Sequence, residues 1–228
     1  MAKLNRLFRK IGIEVKLYRP TNMNWLRQYN IKTVIDIGAN VGQFAREISG
    51  VLPQAHIHSF EPLDVCHEEL KNNTRDLDIT IHPYGLGDAN YQTAIHLHQH
   101  SPSSSLLKMN DLHEEVFPNS KAFECRPVQV KRLDDVLSRD TLEDNILIKA
   151  DVQGFEDKVI SGGRHVFSQA KVLIIETSFE PFYEQQVLFD DLYAMLRDLN
   201  FSFRGNLWQE SHPHDGRVLH SDSIFIKH

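Results

Sequence analysis

What is scarce in this 228-residue chain removes several classes of protein. Two cysteines, Cys66 and Cys125, are too few for a disulfide framework. Both read as packing thiols of a cytoplasmic protein. No apolar run reaches about 18 residues, the length a membrane-crossing helix needs. Positive charge is not in excess: the net charge of -6 argues against non-specific nucleic-acid binding. No internal repeat or low-complexity tract is visible. The dinucleotide fingerprint G-x-G-x-x-G is also missing. What remains is an ordinary globular composition, 41% hydrophobic and 25% charged, on a chain long enough for one α/β domain with a full core.

That domain is organised around T-V-I-D-I-G-A-N-V-G-Q-F, residues 33–44. Val34, Ile35 and Ile37 form a β-branched run that reads as a buried parallel strand. The run breaks at Gly38, turns through Asn40 to Gly42, and enters a helix at Gln43. Strand, glycine turn, helix is how an open α/β sheet builds a nucleotide-sized crevice. Here the spacing is G-x-x-x-G, with Asn40 where a diphosphate-cradling glycine would stand. With Asp36 at the strand end, the turn suits a ligand carrying an ammonium and no diphosphate, such as S-adenosylmethionine.

The rest of the chain alternates strands and helices. Residues 1–29 form a basic extension whose Leu4, Leu7, Phe8 and Ile11 repeat at helical spacing. This extension is expected to dock on its own domain or on a second subunit, not on a membrane. Residues 30–228 form the single domain. A second strand near residues 55–60 ends in Glu61, 23 residues past Gly38. An acid at about that distance commonly accepts both ribose hydroxyls. Its loss is therefore expected to weaken ligand binding and leave stability unchanged. His56 and His58 share a strand face and read as packed or hydrogen-bonded residues. A third strand, near 79–84, runs into G-L-G-D, where Gly87 and Asp88 are expected to face an adenine.

Residues 92–100 alternate as a half-buried strand. His96, His98 and His100 lie along about 13 Å of it, too spread for one metal ion. An insertion of about 101–127 reads as a lid. Residues 128–130 read as a strand, 133–138 as a short helix, and 183–199 as a long one. I-L-I-K-A-D-V-Q-G-F-E, from Ile146, repeats the strand-and-turn logic and ends at Asp151. A fifth strand, 172–175, ends at Glu176. Asp36, Glu61, Asp151 and Glu176 thus terminate strands on one rim. The tail reads as two strands, 201–207 and 223–227, joined by a loop with Trp208, His212, His214 and Asp215.

D-I-G-A-N-V-G-Q-F, F-E-P at Phe60, L-D-D-V-L at Leu133, K-A-D-V-Q-G-F-E at Lys149 and the terminal S-D-S-I-F-I-K resemble the FkbM-type methyltransferases. The resemblance covers about residues 30–227. It implies a Rossmann-like, doubly wound, seven-stranded and mostly parallel sheet with one antiparallel strand, the class I methyltransferase fold. It also implies S-adenosylmethionine-dependent O-methylation of a sugar or secondary-metabolite hydroxyl. By motif match Asp36, Gly38, Asn40, Gly42 and Glu61 look like cofactor contacts. The chain departs from the family pattern at Gln153, where a glutamate is frequent, and at Ala150.

A neutral hydroxyl needs its proton removed, so Asp151 and then Glu176 are the expected bases. Alternatively these two carboxylates hold a divalent cation, for which oxygen ligands favour Mg²⁺. The competing readings are a nicotinamide oxidoreductase and a catalytically silent binding module.

Overall fold

The computed structural model describes residues 23–98, 104–110, 122–137 and 142–228. The basic stretch 1–22, most of the insertion's middle, and His100 lie outside the described residues. A 3-10 helix, Asn24–Tyr29, leads into the domain and buries Leu26. It stops at Asn30, which adopts a left-handed conformation.

The strands are β1 (Thr33–Ile37), β2 (His56–Phe60), β3 (Ile79–His82), β4 (Gly85–Leu86), β5 (Tyr91–His98), β6 (Ala122–Lys131), β7 (Ile146–Ala150), β8 (Ala170–Ser178), β9 (Phe201–Ser211) and β10 (Val218–Lys227). The helices are α1 (Gln43–Val51), α2 (Asp64–Thr74), α3 (Leu133–Val136), α4 (Glu156–Gly162), α5 (Arg164–Phe167) and α6 (Phe189–Arg197). Seven strands form one sheet in the order β3-β2-β1-β7-β8-β10-β9. The pairs β1–β2, β1–β7, β2–β3 and β7–β8 are parallel. β10 runs antiparallel to both β8 and β9, so it alone reverses direction in this sheet. The sheet therefore has the expected doubly wound order.

Both faces of the sheet are covered, which is why every residue of β1 is buried. Val34, Leu147, Val172 and Ile174 pack with Ala45 and Ile48 of α1 and Leu26. Ile35, Ile148, Leu173 and Ile175 pack on the other side with Val159 and Ile160 of α4, Leu192 and Leu196 of α6, and Phe225.

The strand at Tyr91–His98 stands apart from the main sheet; with β4 and β6 it makes a separate three-stranded sheet. Three expectations are corrected. Residues 122–127, expected in a lid, belong to β6. The helix expected from 183 begins only at Phe189. Residues before it cannot be helical: Gln185 has φ +63°, and the Gln186 side chain accepts from the backbone N–H groups of Phe182 and Tyr183. The final strands are longer than their apolar cores suggest, so Trp208 sits in β9 and not in a loop. Among the described residues no helix is long and apolar enough to cross a membrane.

Candidate active site

The crevice opens where β1 and β7 lie side by side and their chains diverge. Ile37 pairs with Ala150, and one residue on, Asp151 N–H donates to the Ile37 carbonyl. Gly38 has φ +79°, and a Cβ there would stand 1.9 Å from the Asp151 carbonyl oxygen. Only glycine permits that approach. Gly42, φ +87°, starts α1, and a Cβ would meet Leu70 and Thr74 of α2 at 2.9 Å. It serves helix packing and is not among the residues lining the cavity.

Glu61 fastens the turn. One carboxylate oxygen accepts from Asn40 N–H and the other from Leu63 N–H, both at 2.8 Å. The side chain is nearly buried but still lines the cavity, and each oxygen keeps a lone pair. Burial pushes its carboxyl upward, and the two amide bonds hold it back.

Asp36 does not reach the crevice. It is fully buried and pairs across β1–β7 with Lys149, whose Nζ lies 3.7 Å from Asp36 Oδ1. Ser59 donates to Asp36 Oδ2 at 3.5 Å, and Oδ1 accepts no hydrogen bond among the described residues. The cation this acid faces is therefore the chain's own lysine. Lys149 also donates to the Gly38 carbonyl at 3.2 Å and lies 3.4 Å from Asp151. Burial alone would lower the lysine; the Asp151 and Asp36 carboxylates outweigh it and keep Lys149 charged.

The cavity holds about 330 Å³, within the roughly 300–1,000 Å³ usual for small-molecule sites. Gly38, Asn40 and Glu61 line it along the glycine turn, and Leu86, Ile95 and Phe155 give it apolar surface. Lys149, Asp151, Gln153 and Asp222 form the polar end. Gly87 and Asp88 do not line it; Asp88 is turned toward Lys158, 3.9 Å away. The neighbouring Gly85 and Leu86 line it instead.

Gln153 organises the polar end. Its backbone is left-handed, φ +56°. Its amide nitrogen donates to Asp151 Oδ1 at 2.7 Å and to Glu176 Oε2 at 2.9 Å. Its amide oxygen accepts from the Tyr183 hydroxyl at 2.7 Å, and its carbonyl from Ser105 at 2.6 Å. Glu176 is thereby screened from the cavity, with His220 Nδ1 3.0 Å away on its other side. Its burial among Asp151 and Asp222 raises it well above the ordinary carboxylate range. Behind the turn, Glu156 accepts from Val152 and Gly154 N–H groups and is pushed up to about 8, chiefly by burial.

This arrangement does not fit a cation shared by Asp151 and Glu176, because a donor amide already stands between them. Among the described residues no three His, Cys, Asp or Glu side chains converge as a metal site. His56 bonds Asp78 and Thr80, and His58 bonds His82.

Asp222 was not foreseen. It pairs with Glu176 on one side and Trp208 on the other, across three adjacent strands. The motif S-D-S-I-F-I-K marked its strand, but the strand's reversed direction hid its place on the rim.

Fold and crevice together define an open α/β protein with a cavity of small-molecule size at its switch point. The family model described as "Methyltransferase FkbM domain" matches residues 36–203, and the chain belongs to that family. It is 29% identical over 164 residues to the 2-O-methyltransferase NoeI of Sinorhizobium fredii (strain NBRC 101917 / NGR234), covering 68% of this chain and 66% of that one. It is 27% identical over 194 residues to methyltransferase sdnD of Sordaria araneosa, covering 74% and 73% respectively. The crystal structure of methyltransferase FkbM from Methylobacillus flagellatus KT superposes with a TM-score of 0.51 at 16% identity, over 86% of this chain and 44% of that one. The chain thus spans just under two thirds of the first relative and less than half of the solved protein.

Proposed function

We propose that this methyltransferase-family protein transfers the methyl group of S-adenosylmethionine to a hydroxyl of a small molecule, a sugar or a secondary metabolite. The observation that carries the reading is the glycine turn fastened by Glu61 beside a cavity lined by Asp151 and Asp222. Glu61, with a lone pair spare on each oxygen, would take the ribose hydroxyls. Asn40 and Gly38 would border the amino-acid part, and Leu86, Ile95 and Phe155 would cover the base. When bound, the cofactor supplies an electrophilic methyl group on a positively charged sulfur. The cavity's carboxylates favour that charge, and Lys149 offsets the repulsion between Asp151 and Asp222. The likeness to a 2-O-methyltransferase supports a hydroxyl acceptor.

Titration calorimetry tests the cofactor. S-adenosylmethionine should bind in the micromolar range, about -8 kcal/mol, and NAD at least about tenfold more weakly. NAD binding of equal or greater strength would sink the reading. Tritiated methyl transfer to a panel of glycosides and polyols then tests the acceptor class. Binding without transfer to any of them would favour a silent module.

A further inference from the structure

We propose that Asp222 is the carboxylate that removes the acceptor's hydroxyl proton, while Asp151 and Glu176 are held in a fixed network beside it. The proposal rests on the methyltransferase reading and deepens it. Three acids crowd this end of the crevice, and their hydrogen bonds separate their roles. Asp151 accepts from Gln153 at 2.7 Å through one oxygen and faces Lys149 at 3.4 Å through the other. Glu176 is engaged on both oxygens, by Gln153 and His220, and lies outside the cavity lining. Asp222 lines the cavity and, among the described residues, accepts no hydrogen bond through its carboxylate. A base must turn an unengaged oxygen toward the substrate, and of these three acids Asp222 is the one with neither oxygen hydrogen-bonded or ion-paired among the described residues.

Its surroundings suit the task. Lys149 and Asp151 face it from β7 and the turn after it, Glu176 from β8, and His220 from its own strand. Burial, then Asp151, raise its carboxyl to about 6 despite Lys149 and His220. A base works best with a pKa near the operating pH. On this account Asp222 takes the proton as the acceptor's O–H bond breaks. The oxygen's electron pair forms the new bond to the methyl carbon, and the carbon–sulfur pair stays on sulfur, leaving a neutral thioether.

Two measurements test the assignment. The first needs no acceptor. In protein labelled with ¹³C at aspartate carboxyls, the resonance absent from Asp222→Asn should titrate with a midpoint near 6. A midpoint near 4, the ordinary aspartate value, would overturn the proposal. The second uses the best acceptor from the glycoside and polyol panel. Asp222→Asn should lower kcat by about 10² to 10⁴ and remove the acidic limb of its pH profile. Asp222→Glu, which restores a carboxylate, should recover part of the rate. Asp222→Asn within about threefold of wild type, with the acidic limb intact, would overturn the proposal. Failure of S-adenosylmethionine to bind would sink the methyltransferase reading and this proposal with it. A normal midpoint or an active Asp222→Asn would sink only the assignment of the base.

Discussion

Single atoms decide whether the crevice exists. Gly38→Ala places a Cβ within bonding distance of the Asp151 carbonyl at a φ that L-residues resist. Overpacking and left-handed strain together should destabilise by about 2–5 kcal/mol, seen as a lower urea midpoint or as insoluble protein. A wild-type midpoint would mean the two strand ends are not in contact. Glu61→Ala removes a ligand acceptor and also leaves the Asn40 and Leu63 amides without their acceptor. S-adenosylmethionine affinity should fall about tenfold or more, the loss of hydrogen bonds to a charged group worth roughly 1.5–3 kcal/mol. The melting temperature of the unliganded protein should fall as well. The motif alone suggests a ligand group whose loss spares stability; unchanged melting would restore that view. Glu156, buried and raised to about 8, has a folded value above its unfolded one. Its contribution is full below the unfolded pKa and is lost as pH climbs toward 8. Glu156→Gln should therefore flatten the decline in urea stability between pH 5 and 9, by on the order of 1 kcal/mol for each pH unit of that span it controls. Parallel declines in the two proteins would argue that Glu156 ionises normally.

Elements bring together what residues cannot. The side chains of β2 and β3 stack a ladder in which His58 bonds His82, His82 bonds Tyr84, and His82 lies on Phe60 at 4.3 Å. Burial lowers both imidazoles to about 4. The folded protein thus stays neutral there while unfolded histidines take up protons. Stability present above about pH 6.5 should be lost as pH falls toward 4. His82→Phe keeps the stacking and removes one titrating ring, so its urea midpoint should fall less between pH 7 and 4.5 than that of wild type. Equal falls would place the acid sensitivity elsewhere. The same scale explains Asp222. Strand ends were legible because parallel strands all point their carboxyl ends at one rim. β10 enters that rim from the opposite direction and contributes a residue from its middle. Nothing in the spacing of S-D-S-I-F-I-K says which way the strand runs.

At the scale of the whole molecule, the cavity joins β1, β2, β4, β5, β7, β10 and the start of α1 with the segment near Ser104. A ligand that holds so many elements should stabilise all of them. S-adenosylhomocysteine at a hundred times its dissociation constant should add about 2.7 kcal/mol. For a chain of this size that is a rise of about 5–10 °C in melting temperature, measurable by differential scanning fluorimetry. NAD at the same concentration should give little shift. A larger shift with NAD would contradict the cofactor assignment.

The sequence by itself determined the strands of the buried centre, because β-branched runs covered on both faces have few other solutions. It also determined the glycine turn, since Gly38 and Gly42 stand where no side chain could follow the backbone, and the family, since five motifs recur in order. Only the tertiary structure decided what each acid does. Asp36, Glu61, Asp151 and Glu176 read alike along the chain, each an acid closing a strand. In the fold one faces Lys149, one clasps two amides, one lines the cavity, and one is sealed behind Gln153. A carboxylate's role depends on which donors stand within about 3 Å of it, and those donors come from strands and turns up to a hundred or more residues away.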